Sequence, residues 1–359
     1  MIPIITFQEA LEKSKEYAKR HLLLGNGFSI ACIPSIFTYD SIYNQADFNS
    51  MPEVKKIFEL FKTQDFELII NALEKSSRIV PVYEPENKEL TAKMHLHSQN
   101  LKQLLIETLA QKHPAYPAQI EDYKYKSCLR FLAHFIDSNS CVYTLNYDLL
   151  LYWTLMHGLE SKQLQMVPSD GFGKDTDFEN GTVQVSDFVT WQGDSQAHGQ
   201  NIHYLHGALH IYDRGADIEK FTWIGTGITL IDQATNALSK NLFPVFVAEG
   251  DSIKKMDKIV HCGYLYHSYK SFSANMKVGA KSVKNCLFTF GVSFSENDQH
   301  ILKKISQGKV AHLFVSIYGD PASEANKQII NAAEGLKRRR KGNDLNITYY
   351  DAASAEVWN

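Results

Sequence analysis

The fold is decided by a short run that reads as a strand entering a glycine turn, Leu22-Leu23-Leu24-Gly25-Asn26-Gly27-Phe28-Ser29. Three successive leucines are typical of a parallel strand that is buried on both faces. The two glycines remove side chains where the backbone must turn sharply and come close to a ligand. The next residues can begin a helix, whose free N–H groups and positive dipole end would face a phosphate. The same pattern also fits a tight strand-to-helix turn that binds nothing.

The composition limits the class of protein. A chain of 359 residues with 44% hydrophobic content can bury a large core and carry an insertion. The net charge of −3 predicts no general attraction to nucleic acid or to an anionic membrane. One basic run, residues 337–341, ends a predicted helix, where cations complement the helix dipole, so we interpret it as a solvated helix end.

The same reasoning indicates where the protein resides. The chain has no apolar run of about 18 residues, so we expect no membrane span. The N-terminus lacks the basic and apolar regions of a signal peptide. The five cysteines are scattered without a CxxC pair, which is typical of a reducing cytoplasm. We therefore expect a cytoplasmic protein.

Polar residues follow a second strand-like run. The apolar segment 141–145 leads directly into Asn146 and Asp148, after which a helical pattern resumes. In doubly wound α/β folds, ligands bind at the carboxyl ends of the strands, so both side chains are well placed. The Asn146 amide could hold a ribose hydroxyl or a water through paired hydrogen bonds. Alternatively, Asn146 and Asp148 only cap the helix that follows.

A third stretch, residues 202–212, has the alternation and aromatic content of a strand, with Gly207 allowing a bend directly after His206. A histidine at such a break can lie in a cleft and act as a general base. His203, His206 and His210 could instead bind a metal, but strand residues three apart face opposite sides and no HExxH pattern is present. A hydrogen-bonded structural role for His206 also stays open.

The C-terminal part repeats the order of strand, turn and helix. One strand-like run ends in Gly291 and Ser293, where a second phosphate or ribose could be held. A further strand carries Ser316 near its end, and the last strand leads into Ala352. This alternation predicts an α/β fold with a mainly parallel sheet.

Four of these stretches, in this order, resemble the motifs of the sirtuin family. The turn at residues 25–29 is similar to the sirtuin GAG-hydrophobic-Ser turn, and Thr144-Leu145-Asn146-Tyr147-Asp148 resembles Thr-Gln-Asn-hydrophobic-Asp. Leu205-His206-Gly207 resembles Leu-His-Gly, and Gly291-Val292-Ser293 resembles Gly-Thr-Ser. The zinc module of two CxxC pairs that follows Leu-His-Gly in the deacylases is absent from this sequence. The pattern therefore looks like the bacterial sirtuin-like effectors that cleave NAD during antiviral defence.

The resemblance implies a role for each matching residue, with NAD as the substrate and no metal. Asn146 would position the ribose or the attacking water, and His206 would be the base. The remaining NAD-binding positions would be Gly25, Asn26, Gly27, Phe28 and Ser29 at the pyrophosphate, Ser293 near the adenosine half, and Asp148, Gly291 and Ala352. We add Ser316 because of its position at the end of a strand.

The expected organisation is a Rossmann-like parallel sheet of the sirtuin type with two insertions. Its parts are 1–50, the first portion of the NAD-binding domain; 51–137, a helical insertion; 138–157, the domain continued; 158–200, an irregular insertion or lid; and 201–359, the remainder with a small insertion.

The expected function is that of an NAD glycohydrolase acting in anti-phage defence. A sirtuin-like deacylase or ADP-ribosyltransferase is the first alternative, and a non-catalytic nucleotide-binding sensor is the second. Because an unrestrained NADase would drain its own cell, we expect control by homo-oligomer formation or by a separately encoded regulatory or phage trigger protein.

Overall fold

A computed structural model describes residues 2–138, 140–173, 176–179, 182–185, 188–193, 199–215, 217–222, 232–233, 237, 244–277, 279–280, 283–342 and 344–359. The strands are β1 (Ile4–Ile5), β2 (Lys19–Leu24), β3 (Val142–Thr144), β4 (Thr176–Glu179), β5 (Thr182–Val185), β6 (Phe188–Thr190), β7 (Ile202–Tyr204), β8 (Gly207–Asp213), β9 (Ile218–Phe221), β10 (Pro244–Phe246), β11 (Gly279–Ala280), β12 (Val283–Phe290), β13 (His312–Ile317) and β14 (Asn346–Asp351).

The helices alternate with these strands. They are α1 (Phe7–Ser14), α2 (Asn26–Cys32), α3 (Pro34–Phe37), α4 (Tyr39–Gln45), α5 (Pro52–Phe61), α6 (Phe66–Tyr83), α7 (Lys88–Lys112), α8 (Asp122–Ile136), α9 (Leu150–Glu160), α10 (Ser252–His261), α11 (Gly263–Lys277), α12 (Gln299–Gln307) and α13 (Glu324–Arg339). Among the described residues, no helix is both long enough and apolar enough to cross a membrane.

The main sheet is parallel and has the strand order β1-β14-β13-β12-β2-β3-β7, with the short β11 paired antiparallel to β12. The three leucines of β2 are fully buried at its centre, as their pattern predicts. From β2 the chain continues to β3 and β7 on one side and later returns through β12, β13 and β14 on the other. The strand order therefore reverses between β2 and β12, and the α/β fold is Rossmann-like.

The strands around this reversal end at the same level. Leu24 at the end of β2 pairs with Phe290 of β12 on one side and with Thr144 of β3 on the other, and Thr144 in turn pairs with Tyr204 of β7. Four carboxyl ends consequently meet along one edge of the sheet. The loops that leave these four ends are therefore neighbours.

A second sheet is antiparallel, with the order β10-β8-β9-β6. The strand expected over residues 202–212 is divided between the two sheets, because β7 belongs to the parallel sheet and β8 to the antiparallel one. Strand β6 lies within the segment 158–200, as do the paired strands β4 and β5, so that segment contains more regular structure than expected.

The region 51–137 contains the helices α5 to α8, as its apolar periodicity predicts. Residues 252–277 form two helices, α10 and α11, which are separated at Cys262. Helices α6 and α10 each contribute a charged side chain, Glu67 and Lys255, next to the carboxyl ends of the parallel strands.

Candidate functional site

The glycine turn after β2 packs directly against the turn after β12. The Gly27 N–H donates to the Gly291 carbonyl at 2.9 Å, and Gly291 has a φ of +65°. A Cβ atom on Gly27 would lie 2.5 Å from the Gly291 Cα, and one on Gly25 would lie 2.6 Å from the Gly291 carbonyl oxygen. These distances are too short for any side chain, so the glycines are needed for the packing of the two turns.

This packing corrects the expectation of free amides at the start of α2. The Gly27 N–H is bonded to Gly291, and the Phe28 N–H donates to the Gly25 carbonyl at 2.9 Å. The Asn26 side chain donates to the Phe37 carbonyl at 3.1 Å. The Phe28 ring is buried 5.1 Å from the Trp358 ring. Asn26 and Phe28 therefore use their side chains to hold the fold, and two of the expected phosphate donors are already occupied.

Ser29 of α2 joins the loop after β3 through a chain of side-chain hydrogen bonds. The Asn146 Nδ2 donates to the Ser29 Oγ at 2.8 Å, and the Ser29 hydroxyl donates to the Asp148 Oδ2 at 2.5 Å. All three side chains are buried, with Asn146 only 8% exposed. The structure therefore brings together three of the residues that the sequence placed at the site.

The sequence leaves two roles open for Asn146 and Asp148, ligand binding and helix capping, and the structure gives the two residues different roles. Asp148 does support the start of a helix, although Leu149 is the N-cap residue: the Asp148 Oδ1 accepts from the N–H of Leu150, the first residue of α9, at 2.9 Å. Burial raises the pKa of Asp148, while the hydrogen bonds from Ser29 and Leu150 act in the opposite direction. Asn146 does not cap α9: its side-chain amide donates to Ser29, and its backbone N–H donates to Thr144 Oγ1. Asn146 is therefore oriented by Ser29.

His206 lies at the break between β7 and β8, where Gly207 has a φ of +81°. Its Nε2 atom is 3.0 Å from the Nε2 of His300 on α12, and the Nδ1 of His300 is 3.3 Å from the Ser252 Oγ. Burial lowers the pKa of His206 well below its ordinary value, and the ammonium of Lys255 lowers it further. Burial also lowers the pKa of His300, to about 4. Both rings are therefore neutral at neutral pH.

A buried charge cluster lies beside this histidine pair. Lys255 of α10 is 1% exposed and donates to Glu67 of α6 at 2.7 Å and to Asp298 at 2.9 Å. Although burial opposes the charge, the two carboxylates raise the pKa of Lys255. The Asp298 Oδ1 is also 3.9 Å from the His206 Nε2. Lys255 is thus the shared ion-pair partner of two acids next to the histidines.

The two acids respond differently to this environment. Burial raises the pKa of Glu67 to about 7, against the effect of Lys255. Burial also acts to raise the pKa of Asp298, but the Lys255 ammonium outweighs it and the net pKa is lowered. The Tyr147 hydroxyl lies 3.0 Å from Glu67 Oε1. In the sequence, Tyr147 lies between Asn146 and Asp148. It therefore connects the charge cluster with the hydrogen bonds that join Asn146, Ser29 and Asp148.

One group within this region has the residue types of a metal site. The ligand atoms of His206, Asp298 and His300 lie within 4.8 Å of one another, and no other such group occurs among the described residues. The Lys255 ammonium, however, already donates to the Asp298 oxygen that faces His206. A second cation at this position would be repelled by the first. We therefore interpret the three residues as a hydrogen-bonded, ion-paired group.

The other sequence-predicted residues lie along the same edge of the sheet. The Ser316 Oγ accepts from the Gly291 N–H at 3.0 Å, so Ser316 holds the turn after β12. Ser293 is exposed between two buried residues, and the Ala352 N–H donates to the Ile317 carbonyl at 2.8 Å. No hydrogen bond between described residues joins Ser293 or Ala352 to the hydrogen-bonded group of Asn146, Ser29 and Asp148.

Sequence reasoning missed Glu67, Lys255 and His300. Glu67 and Lys255 lie on ordinary amphipathic helices, and no local pattern distinguishes them from solvated charges. One feature of the sequence could have identified His300 as a candidate site residue. His300 follows the turn after β12, just as Asn146 follows β3. Polar residues just beyond a strand's carboxyl end are candidates for the site in such folds.

The fold and the site define a Rossmann-like α/β protein whose polar residues gather where the strand order reverses. The chain belongs to the family described as domain of unknown function DUF4917, whose family model matches residues 22–358. No curated protein matches this chain.

Proposed function

We propose that this protein is an NAD glycohydrolase that cleaves the bond between nicotinamide and ribose, releasing nicotinamide and ADP-ribose. The observation that carries the proposal is the hydrogen-bonded chain from Asn146 through Ser29 to Asp148 at the carboxyl ends of β2 and β3. This is the place where dinucleotides bind in doubly wound folds. The resemblance of the four motifs to sirtuins supports the choice of NAD.

Asn146 is suited to hold a hydroxyl or a water. Its Nδ2 is committed to Ser29, which turns the amide into one orientation. The side-chain hydrogen bond of Asn146 among the described residues is made by its Nδ2, so the Oδ1 atom keeps its capacity as an acceptor. A fixed acceptor at a strand end can align a ribose hydroxyl or guide the attacking water.

His206 would act as the base because it is neutral at neutral pH and is held by His300. Nicotinamide on ribose is already a cationic leaving group, so cleavage needs mainly alignment, stabilisation of an oxocarbenium-like centre and a guided water. The buried acids Glu67 and Asp298 supply negative charge nearby, and Lys255 balances it. The proposed reaction uses no metal.

Fewer residues of the glycine turn can contact the pyrophosphate than the sirtuin-like motif implies. The amides of Gly27 and Phe28 are occupied, and the Asn26 side chain is bonded to Phe37. The Ser29 hydroxyl is buried and donates to Asp148, so the exposed Ser293 remains a polar side chain of the two turns that could contact the ligand. We propose that the glycines bring these two turns together, and that the ligand lies on the surface they form.

We also propose that the enzyme acts in anti-phage defence and that assembly or a separately encoded trigger protein controls it. The helical block 51–137 supports self-association because it exposes large apolar side chains. Leu60, Val82 and Tyr83 are 77%, 76% and 82% exposed, respectively. Isolated exposed apolar residues are common, but Val82 and Tyr83 are adjacent at the end of one helix.

The decisive experiment is to incubate the purified protein with NAD and to quantify free nicotinamide and ADP-ribose by chromatography. Equal release of both products without an acceptor is expected. Nicotinamide release only with an acylated peptide or a protein acceptor would indicate a deacylase or an ADP-ribosyltransferase instead. NAD binding by calorimetry without product would indicate a sensor and would overturn the proposal.

A further inference from the structure

A cleft with an unusual charge lies between α12 and the end of α13. It has a volume of about 400 Å³ and is lined by Gln299, Lys303, Ser306, Gln307, Arg338, Arg339, Arg340 and Lys341. Five of these eight residues are Lys or Arg, and no carboxylate lines the cleft within the described part of the chain. The residues described above at the carboxyl ends of the parallel strands, called the strand-end site below, are Ser29, Asn146, Asp148, His206 and His300 with the charge cluster around Lys255. None of them lines this cleft. This cleft, called the basic cleft below, is therefore a separate feature.

One of the five cations has a structural role. The Arg340 guanidinium donates to the Gly308 carbonyl at 2.6 Å and to the Ile305 carbonyl at 2.7 Å, so it closes the end of α12. Arg340 thereby satisfies one terminal carbonyl of α12, that of Ile305, and the carbonyl of Gly308 just beyond the helix. The Arg340 side chain is half-buried, and this burial lowers its pKa.

The remaining four cations have no counter-ion among the described residues. In those ranges, no carboxylate forms an ion pair with Lys303, Arg338, Arg339 or Lys341. Arg338 and Arg339 also lie close together: a Cβ atom on Gly335 would be 3.7 Å from the Arg338 Nη2 and 3.8 Å from the Arg339 Nη1. Like charges gathered in a concave surface repel one another. A bound anion would remove that repulsion.

We propose that the basic cleft binds a small molecule that carries several phosphate groups. Guanidinium groups form paired hydrogen bonds with phosphate oxygens, and two neighbouring arginines can hold two phosphates. The volume lies in the range of small-ligand sites, which is roughly 300–1,000 Å³. The three neutral residues, Gln299, Ser306 and Gln307, can donate to the same oxygens.

Nucleic acid fits the basic cleft less well than a small polyphosphate. No aromatic residue of the described chain lines the cleft, so bases would find no ring to stack on. The chain has a net charge of −3, so an extended polyanion that left the cleft would meet a surface without a positive excess. The cations are confined to one concavity. The ligand class is therefore compact and highly charged.

The test is calorimetric titration of the full chain with inorganic tripolyphosphate at constant ionic strength. Saturable binding at one site is expected. The double change Arg338→Gln with Arg339→Gln should weaken it by about tenfold for each charge-assisted hydrogen bond that it removes. Both side chains are exposed, so the variant should fold. Lys337→Gln is the matched control, since it removes a cation from the same helical turn but not from the cleft.

Three results would overturn the proposal. The first is the absence of saturable tripolyphosphate binding by the wild-type chain. The second is an equal loss of affinity in the Lys337→Gln control and in the double variant, which would indicate diffuse charge attraction. The third is tighter binding of a single-stranded or duplex oligonucleotide than of tripolyphosphate in a parallel titration, which would indicate a nucleic-acid surface. NADase activity is not used as a readout, so the outcome is independent of the strand-end site.

Discussion

His206 and His300 face each other with their Nε2 atoms 3.0 Å apart in the interior of the protein. Burial lowers the pKa of His206 well below its ordinary value and that of His300 to about 4, so neither ring is protonated at neutral pH. Two neutral imidazoles at this distance share one Nε2 proton, so one ring donates and the other accepts. His300 thereby fixes the orientation of His206 and couples its tautomer to that of a second ring.

We expect His206→Ala and Asn146→Ala each to abolish nicotinamide release. General base catalysis by a positioned side chain contributes roughly 10²–10⁴-fold, so the loss should be at least of that order. Nicotinamide release by purified variants is the measurement, and circular dichroism checks the fold. His261→Ala and Asn331→Ala, at exposed positions, are matched controls that should retain activity. Near wild-type turnover by either site variant would rule out the mechanism.

Replacement of Lys255 is expected to destabilise the protein strongly. Lys255→Met would leave the buried carboxylates of Glu67 and Asp298 without their common counter-ion. Removing one partner of a buried ion pair costs about 3–5 kcal/mol. Chemical denaturation gives the free energy of unfolding. Lys327→Met, which replaces an exposed lysine of α13 that forms no ion pair among the described residues, is the control and should change it little. Similar stabilities for the two variants would contradict the charge cluster.

The glycine turn leads to a prediction about stability. A side chain on Gly27 would meet the backbone of Gly291, so Gly27→Ala is expected to lower the free energy of unfolding by about 1–3 kcal/mol. Thermal denaturation measures the effect. At Gly173 a Cβ atom would meet nothing closer than 3.8 Å, so Gly173→Ala is the control. A Gly27→Ala protein as stable as this control would show that the two turns are not tightly packed.

The close approach of these turns shows what a sequence can and cannot predict. The buried strand at Leu22, Leu23 and Leu24 is predictable because its apolar pattern is local. The position of Asn146 at a strand end is predictable for the same reason. The sequence predicts a ligand next to Gly27, but the backbone of Gly291 fills that space, and no local pattern indicates this contact between residues far apart in the chain.

The charge cluster was inaccessible from sequence for a related reason. Glu67 and Lys255 meet only because the helical block packs next to α10, and their separation in the chain carries no signal. The pairing of β6 with β9 likewise joins two segments that local patterns had assigned to different parts of the chain. Long-range pairing decides which polar residues become partners, while local periodicity decides only where each strand and helix lies.

Self-association through the helical block is expected to control activity. The double change Val82→Asp with Tyr83→Asp places charges at two highly exposed apolar positions and should prevent assembly. Light scattering gives the oligomeric state, and NADase activity is followed against protein concentration. Asn331→Asp, at an exposed polar position, is the control. A monomeric wild-type protein with full turnover at every concentration would exclude this form of control.

His210 is expected to contribute to acid instability. Its ring is fully buried, stacks 4.6 Å from the Tyr152 ring and has no hydrogen-bond partner at either nitrogen among the described residues. Burial, together with nearby Lys220, lowers the pKa of His210 to about 3. In the unfolded chain the pKa is about 6.5, so between pH 6.5 and 3 the unfolded state binds the proton and the folded state does not. Stability must therefore fall as the pH falls through this window.

The variant His210→Phe isolates this effect. It keeps an aromatic ring beside Tyr152 and removes the two nitrogens, so the free energy of unfolding at pH 7 should stay equal or rise. At pH 5 the wild-type histidine costs roughly 2 kcal/mol relative to pH 6.5, and the variant should regain that amount. Unfolding curves of both proteins at pH 7, 6 and 5 measure the difference. Because His21 and His203 have similarly lowered pKa values of about 3, the variant still loses stability in acid, but with a smaller slope. Identical slopes for the two proteins would show that the His210 ring is protonated, or reaches water, in the folded state.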